Sequence, residues 1–380
     1  MFILLKPTDL CNLDCAYCCV GNSRRGSASG IMSAEDGIRA VANVYNYAAE
    51  HHWENMILCF HGGEPLLAGL RFYERVLNYV RERQPPGCDV DITIQSNLTL
   101  LDDAFISLFS QYDIQVSTSL DGPSTIHDRL RPRRDGHGTY NEIVERVDRL
   151  RSRGIQVGAI CTMNRLNFGH EVEIFAAFKQ LGIDFKANHV HSIGAAATGG
   201  LGLSADEIAD SMIAFFDLWF LGSEPTIKER NTFEIAANLL AGQPVTCVFK
   251  PNCQESIICI EFNGEVFACD AIKYSASQDT SLCYGNALEQ PFGEILASPN
   301  RIRFLSRRSE ILGGCPDCRY RDICNGGCVL DSLALNGNLM CKSPMCLGYK
   351  RVFGYIEEAL WKHKIIQEVT RSVGKPGRLT

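Results

Sequence analysis

The sequence contains no apolar run of the roughly 18 residues that a membrane-crossing helix needs, which excludes a helical membrane protein. Its first residues, Met1-Phe2-Ile3-Leu4-Leu5-Lys6, lack the basic stretch, long apolar core and cleavage site of a secretion signal. An unexported, cytoplasmic chain with no membrane partner is expected. An excess of basic charge is missing as well. The net charge is -7, and the dense basic group at 129–134 is short and reads as a solvated face, so nucleic acid is not expected as a partner.

What the chain has in abundance is cysteine, 18 in 380 residues. A reducing compartment does not sustain disulfides, so dense thiols in such a chain point to metal ligation or redox chemistry. They gather in two places, residues 11–19 and 247–346. The apolar fraction of 46% is ordinary for a protein that buries a core. The length exceeds one average domain, so a large α/β domain followed by a smaller one is expected.

Apolar runs at 2–5, 56–60, 90–95, 114–119, 157–162 and 184–190 read as strands, each followed by a helical pattern. Ser33-Ala34-Glu35-Asp36 opens the first long helix as a capping sequence. Six βα units in series imply a parallel sheet with right-handed crossovers, and six rather than eight imply a partial (β/α)6 barrel. Chemistry in such sheets gathers at the C-terminal strand ends, where the cysteine loop, His61-Gly62-Gly63-Glu64-Pro65 and Ser119-Leu120-Asp121-Gly122 fall. His61 reads as a packing residue. Residues 194–202, rich in Ala and Gly, read as a loop or linker, with helices near 204–221 and 231–240 beyond it. The expected division is a barrel domain at 1–230, a cysteine-rich domain at 231–364 and a polar tail at 365–380.

Cys11, Cys15 and Cys18 place three soft thiolates on one short loop, which suits an iron-sulfur cube. Three ligands for four irons leave one iron open to a substrate or cofactor. A structural zinc site would want a fourth ligand at clean spacing, for which Cys19 is the neighbour on hand. Here the chain resembles the radical S-adenosylmethionine superfamily, whose members bind that cofactor on the open iron. The resemblance implies that Gly62-Gly63-Glu64-Pro65 meets the cofactor's amino group, through Glu64 and the main chain. It implies also that Tyr17 packs near the adenine, and that Ser119 and Arg131 lie where relatives place groups for the cofactor carboxylate and the strand 4 loop. Asn97, at the end of the third strand, reads as a ribose contact or as a satisfied turn residue.

Eight further cysteines form a second pattern: Cys247, Cys253 and Cys269, then Cys315, Cys318, Cys324, Cys328 and Cys346. Eight thiolates make two complete four-cysteine sites. Two zinc ribbons would use the same thiols but would pair sequence neighbours. Gly264 in Glu261-Phe262-Asn263-Gly264-Glu265-Val266 fits the tight turn of a β-hairpin between 257–262 and 266–269. The pattern resembles the SPASM domain of anaerobic sulfatase-maturating enzymes and ribosomal-peptide maturases. The resemblance implies an inner cluster on Cys247, Cys253, Cys269 and Cys328 and an outer one on Cys315, Cys318, Cys324 and Cys346. With the N-terminal site this makes three [4Fe-4S] clusters. Of the other cysteines, Cys59 and Cys161 read as core, while Cys259 and Cys341 lie close enough to the ligands to compete with them.

Asp270 directly follows Cys269, where the resemblance places a base that takes a proton from the substrate residue; a surface or capping aspartate is the other reading. The activity implied is reductive cleavage of S-adenosylmethionine to a 5'-deoxyadenosyl radical, which abstracts hydrogen from a peptide or protein residue and leads to its oxidation or cross-linking. Modification of a small metabolite is the competing enzyme class, and a multi-cluster electron carrier the non-enzymatic one. Flavodoxin or ferredoxin is the implied electron donor. The cluster loop begins at residue 11, so a leader-binding function is expected on a separate partner. The chain departs from the sulfatase-maturating pattern at Cys19-Val20, where an aromatic usually follows, and at Ser96-Asn97-Leu98, where Thr-Asn-Gly is usual.

Overall fold

A computed structural model of the chain describes residues 1–20, 30–222, 227–244, 247–275, 280–312, 315 and 317–365. The expected tail therefore lies outside the described residues apart from its first position. The first six strands alternate with helices: β1 (Phe2–Thr8), α1 (Ala34–Glu50), β2 (Asn55–Gly62), α2 (Leu70–Glu82), β3 (Asp89–Ser96), α3 (Asp103–Gln111), β4 (Gln115–Ser119), α4 (Ser124–Leu130), α5 (Tyr140–Ser152), β5 (Val157–Met163), α6 (Glu171–Leu181) and β6 (Phe185–His189). There follow α7 (Gly194–Thr198), α8 (Ala205–Phe216), α9 (Arg230–Ala241), β7 (Ile257–Ile260), β8 (Glu265–Phe267), β9 (Gly285–Asn286), α10 (Phe292–Leu296), α11 (Pro299–Leu312), α12 (Arg321–Cys324), α13 (Val329–Asn336) and α14 (Cys346–Lys362). All six expected strands are present. The segment 194–202 is not wholly a loop: its alanines, strong helix formers, wind into α7 and bury Ala196. No described helix is long and apolar enough to cross a membrane.

The chain forms two compact units, each assembled from separate stretches. The first comprises Met1–Leu120, Ser124–Ala159 and Gln254–Leu305. Its strands run in the order β4-β3-β2-β1-β7-β8-β9, linear and unclosed. The pairs from β4 to β1 are parallel, as crossover helices require. Strand β1 is also parallel to β7, matching Phe2 with Ile257 and Leu5 with Ile260, so it has a partner on each side. Ile3, Leu5, Phe60, Ile94 and Ile258 along these strands are all but sealed from solvent. The hairpin β7–β8 turns at Asn263-Gly264, where Gly264 takes φ +85° and a Cβ would strike Asn286 Oδ1 at 2.2 Å. Ser33 caps α1 by accepting from the Asp36 N–H.

The second unit comprises Asp121–Pro123, Ile160–Cys253 and Ser306–Thr380. In it Phe185 of β6 stacks on Phe178 of α6 with ring centres 4.1 Å apart. Helix α14 packs on α8 and α9, Phe216 meets Tyr355 edge-on, and Phe249 meets Tyr349 and Phe353.

Candidate active site

The loop after β1 carries Cys11, Cys15 and Cys18, and two segments of the first unit hold its main chain from different sides. On one side the Gly63 N–H donates to Thr8 O at 3.0 Å and the Glu64 N–H to Leu10 O at 2.7 Å. The approach is so close that a Cβ on Gly63 would lie 2.0 Å from Leu10 O, and one on Gly62, at φ +134°, 2.2 Å from Thr8 O. Only glycine fits there, so the pair is needed to seat the loop whatever else it touches. On the other side, Asp14 and Ala16 donate to Pro132 O and Leu130 O, and Arg134 Nη2 donates to Cys11 O at 2.9 Å. Arg131 lies with its guanidinium 5.2 Å from the centre of the Tyr17 ring, and both are buried.

Two hydrogen-bond donors meet Cys11. Its Sγ accepts from the Leu13 N–H at 3.4 Å and from Asn97 Nδ2 at 3.8 Å, and hydrogen bonds to sulfur favour the charged form. Asn97 also donates to Asn12 Oδ1, while its own Oδ1 accepts from the Thr99 N–H and hydroxyl. It thus fastens the end of β3 to the cysteine loop. Glu64 is fully buried, and its carboxylate accepts from Ser96 Oγ and from the N–H groups of Leu66 and Asn97. Burial pushes its pKa up to about 7 against those hydrogen bonds. Pro65, also buried, starts the turn that follows, and Ser119 Oγ accepts from Gln95 Nε2 at 3.0 Å.

Asp270 comes just after β8, and its charge acts on His61, Cys19, Cys59 and Cys259. It therefore lies near the end of β2 and the end of the cysteine loop. Its main-chain oxygen accepts from Lys6 Nζ at 3.3 Å. Lys6 is 2% exposed, forms an ion pair with the fully buried Glu261 at 2.7 Å and donates to the Tyr274 hydroxyl at 3.1 Å. Burial is the largest influence on Lys6 and depresses its pKa, but Glu261, Cys259 and Tyr274 prevail and hold it well above the usual value. Burial, then Cys18 and Asp270, push the Cys19 thiol up to about 12. His61 accepts the Gly62 N–H on Nδ1, and burial lowers its pKa, so it stays neutral, consistent with a packing role. Cys259 packs against Leu4 and Cys59 in the sheet core and burial holds its pKa high, so it behaves as an apolar side chain.

In the second unit, Cys315, Cys318, Cys324 and Cys346 line one cavity with Tyr320, Arg321, Gly326, Lys342, Lys350 and Phe353. Four soft thiols converging on a common space fit an iron-sulfur cube. Elsewhere in that unit His191 Nδ1 lies 2.6 Å from Asp331 Oδ1, and with Cys328 these side chains bring three ligand atoms within 4.8 Å of one another. The Nε2 atom of half-buried His189 is sealed from solvent and has no hydrogen-bond partner among the described residues, and desolvation pushes the ring's pKa down to about 4. Sequence reading gives these histidines no role; the His-x-His that starts at the end of β6 is the one local pattern that points to them.

Comparison with known families agrees with this geometry. The pattern of the radical SAM superfamily matches residues 5–178, and that of an iron-sulfur cluster-binding domain, SPASM, matches 247–319. The chain carries a radical SAM domain. It is a radical SAM enzyme with a SPASM domain, and its cofactors are S-adenosylmethionine and [4Fe-4S] clusters. It is 23% identical over 384 residues to the serine-type anaerobic sulfatase-maturating enzyme of Bacteroides thetaiotaomicron, covering 94% of this chain and 89% of that protein. It is 24% identical over 373 residues to the cysteine-type enzyme of Clostridium perfringens, covering 93% and 95%. The solved structure of native anSMEcpe with bound AdoMet superposes with a TM-score of 0.84 at 22% identity, covering 97% of this chain and 99% of that one, which shows a shared fold.

One departure in this radical SAM chain has a visible backbone consequence. Leu98 stands where the resembled motif has glycine, and it takes φ +59°. The left-handed conformation costs about 1–2 kcal/mol. Burial of the leucine side chain, 0% exposed, offsets this by about 1.5–3 kcal/mol.

Proposed function

We propose that this enzyme oxidises or cross-links a residue of a peptide or protein by hydrogen abstraction. When bound, the N-terminal cluster and S-adenosylmethionine supply a 5'-deoxyadenosyl radical, and the auxiliary clusters supply an electron acceptor. The chain's own residues bind, orient and move a proton. Cys11, Cys15 and Cys18 hold the first cluster. Cys247, Cys253, Cys269 and Cys328 hold the inner auxiliary cluster, and Cys315, Cys318, Cys324 and Cys346 the outer one, for three [4Fe-4S] clusters in all. Tyr17, Ser119 and Arg131 face the cofactor, while Gly62, Gly63, Glu64, Pro65 and Asn97 shape the loops that receive it. Asp270 takes the substrate's proton.

The observation that carries this reading is the placement of Asp270 beside the end of the cysteine loop, its main chain tethered by Lys6. Support for a peptide rather than a metabolite comes from the sulfatase-maturating relatives and from the anSMEcpe structure with AdoMet and the Cp18Cys peptide, to which this chain has a TM-score of 0.83. The division proposed is a barrel domain at 1–230, a SPASM domain at 231–364 and a tail at 365–380, in a cytoplasmic protein. Flavodoxin or ferredoxin supplies the electron, and a separate protein presents any leader.

The test uses anaerobically reconstituted protein, reductant and a synthetic peptide with an exposed Cys or Ser. Wild type releases 5'-deoxyadenosine and oxidises the peptide, and Cys15→Ala does neither. Asp270→Asn keeps cofactor cleavage but loses about 10²–10⁴-fold in peptide oxidation. Cofactor cleavage retained by Cys15→Ala, or full peptide oxidation by Asp270→Asn, would sink the corresponding assignment.

A further inference from the structure

Arg307, in the stretch of α11 that belongs to the second unit, is 4% exposed, yet the charges that act most strongly on it are not carboxylates. They are, in order, Cys328, Cys253, Cys324 and Cys341, after burial itself, which lowers the guanidinium's pKa. A guanidinium remains charged at any physiological pH, and a buried charge is costly unless an opposite charge compensates it.

Its hydrogen bonds are as directed as its charge. Nε donates to Leu339 O at 2.7 Å, Nη1 to Gly327 O at 3.3 Å, and Nη2 to Cys341 O at 2.9 Å and Ser332 Oγ at 3.2 Å. Gly327 immediately precedes Cys328, and its N–H donates to Cys324 O. Ser332 in turn donates to Cys328 O at 3.2 Å. One side chain therefore anchors the Cys324–Cys328 turn at Gly327 O and, by way of Ser332, at Cys328 O, while its positive charge acts on the thiols of both cysteines.

Neutral thiols would remove the negative charges that act most strongly on that cation. Thiolate-bound iron-sulfur clusters are net negative and become more so on reduction, which makes them its natural counter-charge. We propose that Arg307 is a positioning residue for both auxiliary clusters, fixing the turn that carries one ligand of each and raising their reduction potentials by stabilising the reduced forms. This rests on the cluster assignment above. It goes beyond it by naming the residue that sets how readily these clusters accept the substrate's electron.

The experiment is iron analysis and an EPR-monitored redox titration of anaerobically reconstituted full-length wild type, Arg307→Gln and Arg307→Lys. The proposal expects Arg307→Gln to keep about twelve irons per chain, the sum of three four-iron clusters. Both auxiliary midpoints shift to more negative potential while the N-terminal cluster's midpoint stays in place. Arg307→Lys, which keeps the charge but not the planar fork, shifts less. A fully loaded Arg307→Gln with unshifted auxiliary midpoints overturns the proposal. Loss of auxiliary iron in both variants also overturns it, since the role would then be structural alone. Wild type with only about four irons would instead defeat the auxiliary-cluster assignment on which the proposal stands.

Discussion

The Glu64 carboxylate is bound to the main-chain N–H of Asn97 at 2.8 Å, which joins the end of β2 to the loop after β3 beneath the cysteine loop. Both carboxylate oxygens are used inward, three donors in all, in a side chain with no solvent exposure.

Burial raises the folded-state pKa of Glu64 from 4.5 to about 7, so its contribution to stability is fully present below pH 4.5 and is lost as pH rises through 7. Glu64→Gln has no such slope but leaves the Asn97 N–H facing an amide NH2, a deficit of about 1–3 kcal/mol. The stability gap between variant and wild type should therefore narrow from pH 5 to pH 8 in denaturant titrations. A gap that widens with pH would contradict the assignment.

Gly63→Ala puts a methyl where Leu10 O already stands, so the cysteine loop must shift. Overpacking of this kind costs about 1–3 kcal/mol. Gly158→Ala is the control, because a Cβ there meets nothing within 4 Å. The first variant should lower the melting temperature and the iron bound at the N-terminal site, and the second should do neither.

Removing one partner of the buried Lys6–Glu261 pair leaves the other charge uncompensated, so Lys6→Met and Glu261→Gln should each destabilise by about 3–5 kcal/mol. The double variant should cost clearly less than the sum of the two. Additive effects in this double-mutant cycle would mean that the pair is not coupled.

Cys324→Ala should lower iron from about twelve to about eight per chain with 5'-deoxyadenosine release retained. Cys59→Ala, which removes a thiol packed in the sheet core, should leave iron unchanged. Iron and sulfide assays on matched reconstitutions check both.

The parts of this fold that sequence made legible are those written in short-range patterns. Apolar runs at strand length placed β1 to β6, and Asn263-Gly264 placed the β7–β8 hairpin through the one residue that tolerates φ +85°. The thiols that line one cavity in the second unit were grouped by resemblance. What stayed hidden depends on partners far apart in the chain. Nothing local in Phe2–Thr8 says that its second neighbour is Ile257–Ile260. Likewise Lys6 looks like an ordinary cation until Glu261 is folded against it. That the Glu64 carboxylate accepts from Leu66, Ser96 and Asn97 is also visible only in the fold, where burying three donors unpaired would cost more than burying one acid.

The place of β1 between β2 and β7 also governs the order in which the protein can be made. While the ribosome has yet to deliver residue 257, the strand leading into the first cysteines has a bare flank of unsatisfied amides and carbonyls beside an oily surface, the profile of a segment that sticks to copies of itself. A β1 with both flanks paired is thus tied to the delivery of Ile257–Ile260. A nascent chain that already contains every residue of the first cysteine loop would still carry this open edge until then.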